Sequence, residues 1–273
     1  MMRQLVFAVM SLAVTCACAD GQSLFNGRDF SGWYTWLKDY GRNVDPKGVF
    51  SVRDGVIHIT GEVFGALVSE EEFSDYHLSL EYRFLGGPQF GGKQGWAPDS
   101  GILFHSTGPD GAFWGAWMES VEVNVIVGAT GDFWGVGTNG SDRISISAEV
   151  GGEKLGGVYP IHDPNGTNVC TIVGNNRVCR YDIARDWRDT NTVAVATNER
   201  PLGEWNRVDL YCVGDKVTVE FNGKVVNRGF AVKPRKGRIQ LQSEGCAVEY
   251  RDIILESCPV LPVLGSTENG GRQ

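Results

Sequence analysis

The chain lacks a basic block. Its 25 Lys and Arg are outnumbered by 33 Asp and Glu, giving a net charge of −8. A binder of nucleic acid or of an anionic membrane needs clustered cations, so both partners are set aside. Long apolar runs are absent beyond the N-terminus, and no stretch there or later is long enough to span a bilayer. Helical periodicity is nearly absent, as are internal repeats. None of the cysteine spacings matches a zinc site.

What remains is a sequence of strands. The segment Val121-Glu122-Val123-Asn124-Val125-Ile126-Val127-Gly128 alternates with a period of two. One face carries four valines, and the other carries Glu122, Asn124 and Ile126. A carboxyl and an amide therefore sit together opposite a strongly apolar face. Such a row suits a sugar cleft, or simply a half-exposed antiparallel strand facing water. Similar alternation recurs over Tyr76–Phe84 and Arg143–Val150, Gly101–His105 is an apolar run, and Arg238–Gln242 and Ala247–Leu255 complete the set of strands. Asp54-Gly55, Gly214-Asp215 and Asn222-Gly223 supply turns between strands. Short strands separated by glycine turns indicate an all-β antiparallel sandwich.

The N-terminus reads as an export signal over residues 1–19: Arg3, then the apolar stretch Leu5–Val14, then Ala17-Cys18-Ala19 before a mature start near Asp20. A lipidated cysteine at Cys16 or Cys18 is the alternative. The expected destination is the periplasm, the cell surface or the medium. Residues 20–258 are expected to form one sandwich domain, interrupted by an insertion over 151–203 in which Tyr181–Asp189 could form a helical turn or two. Residues 259–273 are expected to be a frayed tail. Five of the seven cysteines remain after the signal. Cys170 and Cys179 bracket the turn signal Asn175-Asn176, so a hairpin disulfide is expected between them.

Several motifs carry a resemblance to the 3-keto-disaccharide hydrolase domain family. Leu24-Phe25-Asn26-Gly27-Arg28-Asp29-Phe30-Ser31-Gly32-Trp33 is similar to its opening "LFNG-D-GW". Val52–Gly55, Phe73–Arg83, Asp99–Ile102, Ser120–Asp132, Gly203–Asn206, Phe221–Gly223, Gly237–Gly245 and Tyr250–Ile253 resemble its later motifs in order. The chain departs from the pattern at Asp99 (for Asn), Asn124 (for Gln) and Glu244 (where His is common), and in the long insertion. The resemblance implies a concanavalin A-like jelly roll, a carbohydrate-active enzyme, and a substrate already oxidised at C3 of the sugar.

Collecting the hydrophilic phase of each strand onto one surface gives Glu81, Arg83, His105, Glu122, Asn124, Gln240, Gln242 and Arg251, with Asp99, Glu119 and Glu244 beside them. That these strands are neighbours is implied by the resemblance. Hydroxyls want directional donors and acceptors, which Asn, Gln and Arg provide. Trp96, Trp114, Trp117 and Trp134, in or beside loops, could stack on pyranose faces or merely pack. A ketone at C3 acidifies the C2 proton, so a base can remove it and the C1 oxygen can leave. Glu122 is the candidate base, Arg83 or His105 the enolate stabiliser, and Glu119 or His105 the acid. The alternatives are that Arg83 braces the sheet through an ion pair and that His105 is a structural histidine. A divalent cation such as calcium is conceivable, with Asp99, His105 and Glu122 as oxygen- and nitrogen-bearing candidates. These residues are scattered, however, and no compact motif unites them. Asp132 could bind calcium or cap a turn. A lectin-like module without catalysis is the alternative function.

Overall fold

The computed structural model describes residues 21–182, 198–258 and 260–261. The export signal, residues 183–189 of the expected helical turn, and nearly all of the expected tail lie outside them. Among the described residues there is no helix, and every strand ladder is antiparallel. No described helix is long and apolar enough to cross a membrane.

The strands form two sheets. The smaller runs in the order Arg177–Val178, Phe133–Val136, Glu119–Ile126, Asp99–Thr107, Arg238–Ser243, Gly65–Ser69, Trp33–Leu37, Gly41–Arg42. The larger is built around Asn206–Val213, Tyr76–Phe84 and Val248–Ser257, with Lys216–Phe221, Lys224–Lys233 and Ser145–Leu155 on one side and Val56–Ile59 and Phe50–Arg53 on the other. The expected antiparallel sandwich is the observed fold.

Strand phase builds the core between the sheets. Val121, Val123 and Val125 of the smaller sheet are fully buried in one apolar cluster with Ile102, Phe104, Ile239 and Leu241. Leu78, Leu80, Tyr82, Val208, Leu210 and Tyr250 face them from the larger sheet. Full burial of each such side chain stabilises the fold by roughly 1.5–3 kcal/mol.

The insertion does not interrupt the sheets as expected. Tyr159–His162 and Asn168–Ile172 both pair with Ser145–Leu155 and extend the larger sheet. Arg177–Val178 then crosses to the smaller sheet and pairs with Phe133–Val136. The expected hairpin disulfide is not formed, because the two cysteines pair with different strands. Cys170 lies opposite Ala148, whereas Cys179 is bridged to Ile161 through backbone bonds to Pro160 and His162. No disulfide joins any two of Cys170, Cys179, Cys212, Cys246 and Cys258.

Candidate functional site

The outer face of the smaller sheet is divided in two by its loops. The segment between Thr107 and Glu119 folds back over one half, where Phe113, Ala116, Trp117 and Met118 pack on Tyr34, Ala66, Val68 and Leu103. Three hydrogen bonds fasten it: Tyr34 to Asp110 at 2.7 Å, Trp36 Nε1 to the Gly115 carbonyl at 3.0 Å, and Trp117 Nε1 to the Gly65 carbonyl at 2.8 Å. The other half stays open as a cavity of about 430 Å³, within the range of small-molecule sites.

The strand register brings the polar floor together. Glu122 lies opposite Leu103 on one side and Trp134 on the other, and Asn124 lies opposite Gly101. Glu122, Asn124, Asp99, Gln242 and Glu244 all line the cavity, and Trp96, Trp114, Trp117, Trp134, Phe64 and Tyr159 wall it. Trp114 is 57 % exposed, adopts a φ of 53°, and stacks on Phe113 with ring centroids 4.5 Å apart. A bulky residue in the left-handed region is uncommon, and here it presents an indole at the mouth.

Lys93 is the cation of this cavity. Its Nζ donates to Asp99 Oδ2 at 2.7 Å and to Glu244 Oε1 at 2.8 Å, and it lies 4.8 Å from the Trp96 ring centroid. The glycine-rich loop carrying it is held by its own hydrogen bonds, including Phe90 N to Gly245 O at 2.7 Å and Trp96 N to Lys93 O at 2.9 Å. Asp99 is anchored through its backbone, which exchanges two hydrogen bonds with the buried Cys246 thiol. Arg177 also reaches the cavity, but its guanidinium is paired with the buried carboxylate of Asp132. Asp132 also accepts from the Arg180 amide at 2.7 Å. It is thus a partner for two arginines.

Charge in this cavity is crowded. Burial, reinforced by Glu244 and Asp99, pushes the Glu122 carboxyl well above its ordinary range. Burial and then Asp99 push Glu244 up to about 7. Burial also raises Asp99, against the pull of Lys93. Burial works against the Lys93 ammonium too, but Asp99 and Glu244 outweigh it and keep the group protonated. Two buried acceptors on the floor, Asn124 Oδ1 and Gln242 Oε1, have no hydrogen-bond partner among the described residues. Unfilled buried acceptors are costly, so each calls for a donor.

Not every expected residue is at this site. Glu81, Arg83 and Arg251 project from the outer face of the larger sheet. Arg83 bonds Glu249 at 2.6 Å and Arg251 bonds Glu81 at 2.6 Å, with Trp205 stacked against both guanidiniums. Strand phase separates inside from outside, and both sheets have an outside. Arg83 is therefore a brace. His105 sits at a register break between Phe104 and Thr107, with a φ of 51°. The break turns its ring inward against Tyr76, where Nδ1 donates to the Pro234 carbonyl at 2.8 Å. Desolvation lowers its pKa to about 4, so it is a neutral structural histidine. Glu119 accepts from Ser141 and pairs with Arg143 outside the cavity lining. Gln240 is tied beneath the surface to Ser106 and Ser120. With His105 turned away, the set Asp99, His105 and Glu122 does not assemble. No group of three or more His, Cys, Asp or Glu side chains among the described residues is placed to hold a metal ion.

The sequence model of the 3-keto-alpha-glucoside-1,2-lyase-like domain family matches residues 20–256. The chain belongs to this family. Comparison with curated proteins gives no match. Two Parabacteroides distasonis proteins provisionally named glycosyl hydrolases are similar in structure. The first is 20 % identical, with 86 % of this chain and 92 % of that one covered and a TM-score of 0.48. The second is 18 % identical, with 88 % and 100 % covered and a TM-score of 0.48. A Bacillus subtilis protein of unknown function with a galectin-like fold is 12 % identical, with 88 % and 96 % covered and the same TM-score. Likeness at this level carries no functional argument. As a member of the 3-keto-glucoside lyase-like family, the chain is a carbohydrate-related, glycosyl-hydrolase-like domain. Its family match spans both halves of the cavity: the Lys93 loop and Glu122 fall in it together with Gln242 and Glu244.

Proposed function

We propose that this protein is an exported enzyme that cleaves glycosides oxidised at C3, by elimination across C1 and C2 followed by hydration. The observation that carries the reading is the convergence of Glu122, Asp99 and Glu244 around Lys93 inside one aromatic-walled cavity. The reaction needs a base for the C2 hydrogen, a positive or donating group near the C3 oxygen as charge develops there, and a proton for the departing oxygen. Carboxyl groups raised by burial supply proton transfer near neutral pH. Lys93, rather than Arg83 or His105, is the cation available to the carbonyl. The unfilled acceptor of Asn124 would take a remaining sugar hydroxyl, and Trp114 and Trp134 would stack on its faces.

The test is a panel of plain and 3-oxidised glucosides offered to the purified protein. Release of aglycone from the oxidised set alone supports the reading. Release from plain glucosides would instead indicate ordinary hydrolysis by two carboxyls placed across the bond. Binding without release from either set would indicate a lectin-like module.

A further inference from the structure

Asp99 and Glu244 each hold an N–H of Lys93, but Glu122 has no hydrogen-bond donor among the described residues. It is 4 % exposed. A buried, ionised carboxylate without a donor is among the most costly states a side chain can occupy. Beside it lies another bare acceptor. A β-carbon built on Gly101 would fall 2.3 Å from Glu122 Oε1 and 2.4 Å from Gln242 Oε1, so the two oxygens share one small space. Gln242 Oε1 is buried with no donor. Two acceptors set side by side repel unless one carries a hydrogen, and a carboxylic acid can carry it where an amide oxygen cannot. The other charged groups facing this point are Asp99, Glu244, Lys93 and Arg177; Lys93 is bonded to Asp99 and Glu244, and Arg177 is paired with Asp132 while its Nη2 is buried without a hydrogen-bond partner among the described residues.

We propose that Glu122 enters the reaction as the proton donor, its carboxyl hydrogen resting on Gln242 Oε1, and that Glu244, held on Lys93, is the proton acceptor. This assignment rests on the cleavage of 3-oxidised glycosides proposed above and reverses the role that the strand pattern suggests for Glu122. Glu244 takes the hydrogen from C2. The electron pair of that bond becomes the C1–C2 double bond, conjugated with the C3 ketone, as the C1–O bond breaks. The glycosidic oxygen keeps the pair from C1, accepts the Glu122 proton and leaves as an alcohol. In the second half, water adds its oxygen to C1, Glu122 takes a proton from that water, and Glu244 returns its proton to C2. The sum is 3-keto glycoside plus water giving 3-keto sugar plus alcohol. Both carboxyl groups end as they began, and no oxidant or reductant is consumed.

Two measurements on the whole protein test this. Difference infrared spectra at pH 7 should show an un-ionised carboxyl stretch in the wild type that vanishes in Glu122→Gln and persists in Glu244→Gln. A 3-oxidised glucoside in D₂O should exchange its C2 hydrogen with Glu122→Gln although aglycone release falls by at least about 100-fold. Glu244→Gln should lose exchange and release together. Both variants are near-isosteric, and thermal melts show whether they remain folded. The opposite exchange pattern overturns the roles. A wild type that cleaves but lacks the Glu122-dependent band overturns the roles alone, and would fit a Gln242 amide turned to donate to a carboxylate. A wild type that neither exchanges nor cleaves overturns the reaction and the roles with it.

Discussion

Glu122 Oε1 and Gln242 Oε1 converge over the α-carbon of Gly101, close enough that a single methyl group there would meet both. The Gly101 φ is not in the left-handed region, so the glycine is required by space and not by backbone conformation. Gly101→Ala should therefore displace both side chains. We expect turnover on the substrate to fall about 100-fold, as misplacement by an ångström can do, at a stability cost of about 1–3 kcal/mol. Steady-state kinetics and urea denaturation check the two parts separately.

Glu244 links the site to pH. Its folded-state pKa of about 7 lies above the ordinary glutamate value of 4.5. The folded protein then binds more protons than the unfolded chain between these values, so this contribution is fully present below about 4.5 and is lost as pH rises through about 7. The Glu244→Gln variant should flatten the corresponding fall in stability, which amounts to at most about 3 kcal/mol. Urea midpoints between pH 4 and 8 measure it. A Glu244 that acts as base must also be ionised, so wild-type kcat/KM should climb through about pH 7.

Lys93→Met removes the ammonium that Asp99 and Glu244 share. Both carboxyls should then hold their protons to higher pH. The rise of kcat/KM should move to higher pH, and turnover at pH 7 should fall by at least about tenfold, in line with the loss of a charge-stabilising group. A pH profile beside that of the wild type checks it.

Arg83→Ala tests the partition between the sheets. Arg83 pairs with Glu249 and stacks on Trp205 on the face away from the cavity. Turnover should stay within about twofold of the wild type, the range of a surface substitution. A loss of 100-fold would place the reaction on the wrong sheet.

The sandwich and the floor residues Glu122, Asn124 and Gln242 were legible because a strand's period of two separates core from exterior without knowledge of its neighbours. Val121, Val123 and Val125 fix that phase, and the structure keeps it. Periodicity does not say to which sheet an outward residue belongs, so Glu81, Arg83 and Arg251 looked like partners of Glu122. His105 was misplaced because one register break reverses the face of the residue at it. Lys93 was invisible for another reason. It sits in a glycine-rich loop with no period, and only the fold of that loop over Asp99 and Glu244 gives it a role. The Cys170–Cys179 disulfide is absent because a turn signal at Asn175 marks a reversal of the chain but not which strand each flank then pairs with.

The most direct test of the catalytic reading compares wild type with Glu122→Gln on one 3-oxidised glucoside, following aglycone release and, by calorimetry, binding. We expect release to fall at least about 100-fold while affinity stays within about tenfold. Unchanged release by the variant would contradict a chemical role for the carboxyl at the floor of the cavity.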